Sequence, residues 1–377
     1  MRFSINFLCK PIICLFSLLI CSSACTVTKD SVTGVTKDSA VLEQSLKIAV
    51  LPISNRSGTP APLIEMKRLL TDSFKKQGLD ILEDKVLEAS MIKHRLRYVA
   101  GIDRATAREL KWETGAEAVL ITVLELYSEE PPPKIALASR LVSTGSDPTI
   151  LWMDAVGLAG DDSIGILELS LIEDPQKLLN NAVQHLSVSL AEYLSAEKQR
   201  MPRPTPSIRF WPKVFYRSPV FDSETKYTVA VVPFFNASER QTAGEIIALQ
   251  FVRQLRPFAH FSLVEPGIVR EALLNYRIIM DDGLSMAQAG LLFDKLNVDL
   301  ILTGKIFDYQ DYRGSIGTPK VDFSSILLER KSQEVVWACE SHHVGDDGVF
   351  FFDWGKVNTA HTLASEMVLS ALETVVE

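Results

Sequence analysis

Within eleven residues, Trp337 to Asp347, the sequence reads WACESHHVGDD: one thiol, one glutamate, two adjacent histidines and two aspartates. Zinc, iron and manganese accept ligands of these types. In an extended strand, however, His342 and His343 point to opposite faces and cannot easily share one ion. Asp346 and Asp347 lie beyond Gly345 and could fold back. An earlier stretch, WMDAVGLAGDD from Trp152, supplies an internal control. Aligned on its tryptophan, Asp154 stands for Cys339, Ala155 for Glu340, Val156 for Ser341, Gly157 for His342 and Leu158 for His343. The tryptophan, the Gly-Asp-Asp and the spacing persist. The shared part therefore reads as a strand anchored by tryptophan and closed by a Gly/Asp turn, and Cys339 as a small core residue. A metal-dependent hydrolase using His342 to Asp347 is the enzymatic alternative.

Other chemistry leaves no signature. The chain has no glycine-rich phosphate loop with lysine, no HExxH and no GxSxG. His94, His185, His260 and His361 have no ligand spacing. The expectation is no catalytic residue, no metal and no cofactor. EEPPPK, Glu129 to Lys134, reads as a turn between strands. Asn55 and Asn236 follow apolar strands at matching places and are the candidate binding residues: each suits an Asx turn and could rim a groove. A formal charge of −8 and a pI near 5.4 offer no basic face to a nucleic acid.

The elements that would position these residues occur twice, in the same order. LKIAVLPISNRSG at Leu46 answers YTVAVVPFFNASE at Tyr227, with Pro52 and Pro233 at a step of 181. LDILED answers FSLVEP at 182, VLEA answers VREA at 183, GAEAVLITVLEL answers NVDLILTGKIFD at 182, and the tryptophan stretches match at 185. The copies are bounded at 46–197 and 226–377, with a Pro/aromatic linker at 198–225. Five prolines between Met201 and Phe221 forbid a continuous helix there, and the accompanying aromatics are expected to dock on a neighbouring fold.

Within each copy, unalternating apolar runs such as AVLITVLEL and DLILTGKIF predict strands covered on both faces. Met66, Leu70 and Phe74, like Ile247, Phe251 and Leu255, recur at helical spacing. Asp103 and Ser285 read as N-caps, and Asp174-Pro175 as a cap followed by proline in the first turn. The order β-α-β-α-α-β-β-β-α predicts an α/β (α+β) fold, each copy a mixed sheet packed with helices.

The first 24 residues read as a signal peptide: Arg2 and Lys10 flank its start, and Ile12 to Ile20 is a short apolar run. SSAC, Ser22 to Cys25, resembles a bacterial lipobox, with Ser22 where leucine is usual. That resemblance implies lipidation of Cys25, and Thr26 after it implies sorting to the outer membrane. Plain secretion is the alternative. Cleavage there removes Arg2 and Lys10 and no acid, moving the net charge from −8 to −10. Three of the five cysteines leave with the signal and a lipidated Cys25 is blocked, so only Cys339 remains and no intramolecular disulfide is expected. Residues 25–45, with VTKDS at Val27 and again at Val35, read as a tether spanning on the order of 25 Å.

The quoted strands, with FSLVEPGIVREAL and DFSSILLERKSQEVVWACESHH, resemble the TolB amino-terminal domain and CsgG-like lipoproteins, the second copy more clearly than the first. The resemblance implies a non-enzymatic, lipid-anchored envelope protein that binds other periplasmic proteins, an adaptor or accessory subunit in secretion, a Tol-like system or peptidoglycan-synthase regulation. Its alternative is a subunit of a homo-oligomeric secretion ring or pore.

Overall fold

A computed structural model describes residues 46–162, 171–195, 205–222, 224–279, 283–314, 316–349 and 355–376. The expected signal peptide, Cys25 and tether lie outside the described residues, as does the first part of the linker. The body from Ser45 onward is one compact unit.

Its first half runs β1 (Ile48–Val50), β2 (Ser54–Asn55), α1 (Leu63–Lys76), α2 (Asp84–Lys93), α3 (Arg104–Thr114), β3 (Ala118–Ser128), β4 (Lys134–Ser143), β5 (Ile150–Ala159) and α4 (Pro175–Ser195). After β6 (Val214–Arg217), the second half runs β7 (Tyr227–Val231), β8 (Phe235–Asn236), α5 (Ala243–Leu255), β9 (Phe261–Leu263), α6 (Pro266–Asn275), α7 (Met286–Leu296), β10 (Leu300–Gln310), β11 (Lys320–Glu329), β12 (Val335–Val344) and α8 (Ala360–Val376). The fold is mixed α/β, with two mixed sheets packed by helices. The first sheet has the order β1-β3-β4-β5, with β2 beside β3; the second has β6-β12-β11-β10-β7-β9, with β8 beside β10. In each, a long strand takes parallel partners on one side and an antiparallel hairpin on the other.

Local sequence explains the boundaries. Pro52 and Pro233 lack the N–H that a ladder needs, so each opening strand is split into two short pieces. The short second strand survives as β9 but shrinks in the first half to one bridge, Ile48 to Ile81. Asp103 accepts from the Thr106 amide at 2.7 Å, and Ser285 with Gln288 forms a capping box. The linker contributes more than a connection. Phe210 and Phe221 are buried, while Val214 to Arg217, in the six residues between Pro212 and Pro219, pair with β12 as a new edge strand. Phe215 and Tyr216 on that strand stay about half exposed.

The layers fix everything that follows. α1 and α4 cover one face of the first sheet, through Met66, Leu70, Phe74, Leu179 and Leu186 against Leu120, Leu137 and Trp152. On the other face, α2 and α3 cover one end, with Leu87 and Leu110 against Val119, Ile121 and Val142. The remaining end is covered by the second half: Val123 and Met153 share a core with Ile246, Val252, Leu363 and Met367, which also packs Leu302, Phe323 and Trp337 of the second sheet. Helices α5 and α8 are thus sandwiched between two sheets. Eleven of the thirteen residues of α5 are buried, against four of fourteen in the one-sided α1.

Charges inside this seam are paired. The Arg140 guanidinium donates to both Glu265 oxygens, at 2.7 and 3.0 Å, and to the Ala100 carbonyl at 2.6 Å. His361 Nδ1 lies 2.6 Å from Glu125 Oε2 and 3.0 Å from Gln250 Nε2. Arg140, Glu265, Glu125 and the His361 ring are all almost fully buried. Removing one partner of such a pair strands the other charge. Arg140→Met alone should cost about 3–5 kcal/mol in urea unfolding, whereas Arg140→Met with Glu265→Leu should recover most of that loss.

Candidate functional site

The WACESHHVGDD stretch forms β12 and the turn after it. Trp337 is buried, and its indole N–H donates to Thr374 Oγ1 of α8 at 2.9 Å. Cys339 is buried with its sulfur 3.0 Å from Ser325 Oγ, and burial pushes the thiol up to about 12. His342 faces solvent and His343 faces the core, as strand alternation requires. His343 has both ring nitrogens occupied, by Asp347 Oδ2 at 2.8 Å and the Trp211 carbonyl at 3.0 Å. Among the described residues, no group of three or more His, Cys, Asp or Glu could hold a metal ion.

The shared Gly-Asp-Asp is a strand-end lock. Asp347 accepts from the Val344 amide at 3.3 Å, and Asp162 accepts from the Ala159 amide at 2.7 Å. A Cβ on Gly345 would come 2.2 Å from the Val357 carbonyl oxygen, and one on Gly160 would come 2.1 Å from that of Ile172. The returning chain passes too close for any side chain at either position.

Asn55 and Asn236 build the same turn. Asn55 Oδ1 accepts from the Ser57 amide at 2.9 Å while its Nδ2 donates to the Thr59 carbonyl at 2.8 Å. Asn236 Oδ1 accepts from the Ser238 amide at 3.1 Å while its Nδ2 donates to the Arg240 carbonyl at 2.7 Å. The structure brings the two turns together. Arg240 donates to the Arg56 carbonyl at 3.1 Å and to that of Glu125, and Thr242 donates to the Arg56 carbonyl at 2.9 Å. Arg56 in turn lies 2.8 Å from Glu245. Both asparagines therefore shape the seam between the halves.

The largest contrast between the halves lies on corresponding sheet faces. In the first sheet, paired Ala136 and Gly157, with paired Ala138 and Ala155, floor the part that α5 and α8 cover. A Cβ on Gly157 would lie 2.7 Å from the His361 ring, so the helix end sits directly on the strand. The corresponding pairs in the second sheet are Asp322 with His342 and Ser324 with Glu340. No helix of the described residues covers them. His342 and Glu340 are exposed, and Asp322 lies 2.9 Å from His342. Lys305 extends over Phe235 and Phe307, 5.2 Å from each ring centre, and Lys320 pairs with Asp308 at 2.9 Å. Val214 and Tyr216 of β6 continue this face, because they pair with Glu340 and Ala338. The result is a mixed polar and aromatic surface on a rigid sheet, able to exchange hydrogen bonds and stack.

Sequence reasoning missed the buried charges. Glu125 and Arg140 interrupt otherwise apolar strands, and that interruption was the available signal. Lys134, assigned only to a turn, is buried: it donates to the Tyr312 carbonyl at 3.0 Å and lies over the Tyr312 ring. Burial lowers its pKa to about 8.

No protein-family model matches the chain. No curated protein matches it either. Several solved structures are similar over less than half of it. The PelC dodecamer from Paraburkholderia phytofirmans is 16% identical, covering 43% of this chain and 96% of that one, with a TM-score of 0.30. Lipoprotein GNA1162 from Neisseria meningitidis is 19% identical over 38% of this chain and 99% of that one, TM-score 0.28. The LpoB C-terminal domain from Salmonella enterica is 12% identical over 33% and 87%, TM-score 0.26.

The burial of Cys339 gives a direct expectation. In a chain starting at residue 46, a disulfide reagent at pH 8 should leave the folded thiol unlabelled and modify it rapidly in urea. Gly345→Ala should lower the unfolding midpoint, because the new methyl group meets the Val357 carbonyl.

Proposed function

We propose that this protein is a non-enzymatic envelope lipoprotein, built from two copies of one unit and anchored through Cys25, that docks another envelope protein on the uncovered half of its second sheet. The signal-peptide pattern ending in Ser22 to Cys25 supports the anchor, and Thr26 supports the outer membrane as its location. One observation carries the docking surface. The same region of the first sheet already binds a protein surface, the α5/α8 helix pair, whereas the second sheet leaves the corresponding region open and lines it with Asp322, Glu340, His342 and Tyr216.

The role of such a protein is recruitment. The lipid fixes the location, the tether gives reach, and the rigid sheet presents fixed contacts, so the partner's effective concentration rises without new chemistry. The substitution of small residues by Asp322, Ser324, Glu340 and His342 also argues against a further copy of this chain docking in the mode used within it, since its helices would meet side chains where α5 and α8 meet methyl groups.

A photo-crosslinking amino acid at His342 or Glu340, with Arg68 on the exposed side of α1 as control, tests this in cells. The sheet positions should give one or two defined adducts with other envelope proteins, and Tyr216→Ala should weaken them. A ladder of self-multiples from the same positions would instead support an oligomeric ring and defeat the adaptor reading.

A further inference from the structure

At the seam, both halves contribute to a cavity of about 120 Å³. Val123 lines it from the first half, and Val231, Ile246 and Leu249 from the second. Its polar rim is Arg56, Tyr98, Glu245 and Arg270. An enclosed apolar cavity of about 150 Å³ takes up benzene; this one is slightly smaller but open at its Arg270 and Glu245 rim, so it admits one small ring whose polar group stays at the mouth.

The charges on the rim do not balance. Glu245 offsets Arg56, and Arg140, behind Ala100, is offset by Glu265. Arg270 is exposed at the cavity mouth and has no acidic partner among the described residues; its guanidinium lies over the Tyr98 ring, 3.9 Å from the centre. The Arg56 Nε is buried and makes no hydrogen bond. Tyr98 adds a phenolic hydroxyl, and burial raises its pKa further above the usual value. Donors thus outnumber acceptors around an apolar slot.

We propose that this cavity binds a small aromatic carboxylate, with its ring between Val123, Ile246 and Leu249 and its carboxylate on Arg270. A planar carboxylate matches the guanidinium fork, and the slot is too small for a larger amphiphile. Such a ligand touches both halves at once and so strengthens the seam. This inference is independent of the docking surface on the second sheet, and its test needs no partner protein.

The test uses benzoate and the mature chain, followed by saturation-transfer NMR, with benzyl alcohol as the uncharged comparison. Benzoate should receive saturation at millimolar concentration and bind more tightly than benzyl alcohol. Arg270→Gln should weaken benzoate about two- to fivefold while leaving benzyl alcohol unchanged, since only an exposed charge-assisted contact is lost. Val123→Phe, which fills the slot, should abolish binding of both. If that variant unfolds, Ala248→Leu fills the slot from the opposite wall and replaces it. Absence of saturation transfer to benzoate from the wild-type chain, or equal affinity in wild type, Arg270→Gln and the filled variant, would overturn the proposal.

Discussion

The architecture depends on how closely α5 and α8 approach the first sheet. Alanines at 136, 138 and 155 and glycine at 157 remove the side chains that would hold those helices away. The helices can then serve two sheets at once, which is why α5 is buried nearly all round. Close packing at the middle of this seam excludes water from Arg140, Glu265, Glu125 and His361, so each of these polar groups needs its partner within the protein. The Asn55 and Asn236 turns complete the contact at one edge, through Arg240, Thr242 and Arg56.

The two halves run through one element order but divide the work. Aligned on Met66 with Ile247 and Leu70 with Phe251, the outward residues Glu65 and Arg68 of α1 correspond to the buried Ile246 and Leu249 of α5. Aligned on their tryptophans, the sheet faces show the same exchange, from small residues in the first to polar ones in the second. The contact between halves is therefore made once, with apolar surface where it is used and charge where it is not. The uncovered second sheet is the surface on which we place the partner, and the seam cavity is a separate feature of the contact itself.

Much of this was legible in the sequence. The long strands, the helix spacing, the caps at Asp103 and Ser285 and the split faces of His342 and His343 follow from local patterns that tertiary contacts did not override. The Asx turns at Asn55 and Asn236 were also legible, but not that they meet, because that depends on how the halves dock. Residues 214–217 became a strand because β12 offered an edge, which no local pattern announces. The uniform apolar run of β10 predicted cover on both faces, yet Lys305 and Phe307 are partly or largely open, since the helices that would cover them have no counterpart. The clearest overlooked signal was the alternation of small residues at 136, 138, 155 and 157, which marks a face meant for close approach.

Trp152 lies in the core between the first sheet and α1/α4, and Trp337 in the core that α5 and α8 share with the second sheet; both are fully buried. Two variants, each retaining one of them as the sole tryptophan, report the unfolding of the two sheets separately in urea. If the seam couples the halves as described, both reporters will show one transition with the same midpoint. Two transitions with independent midpoints would contradict a shared core and show two bodies that merely touch.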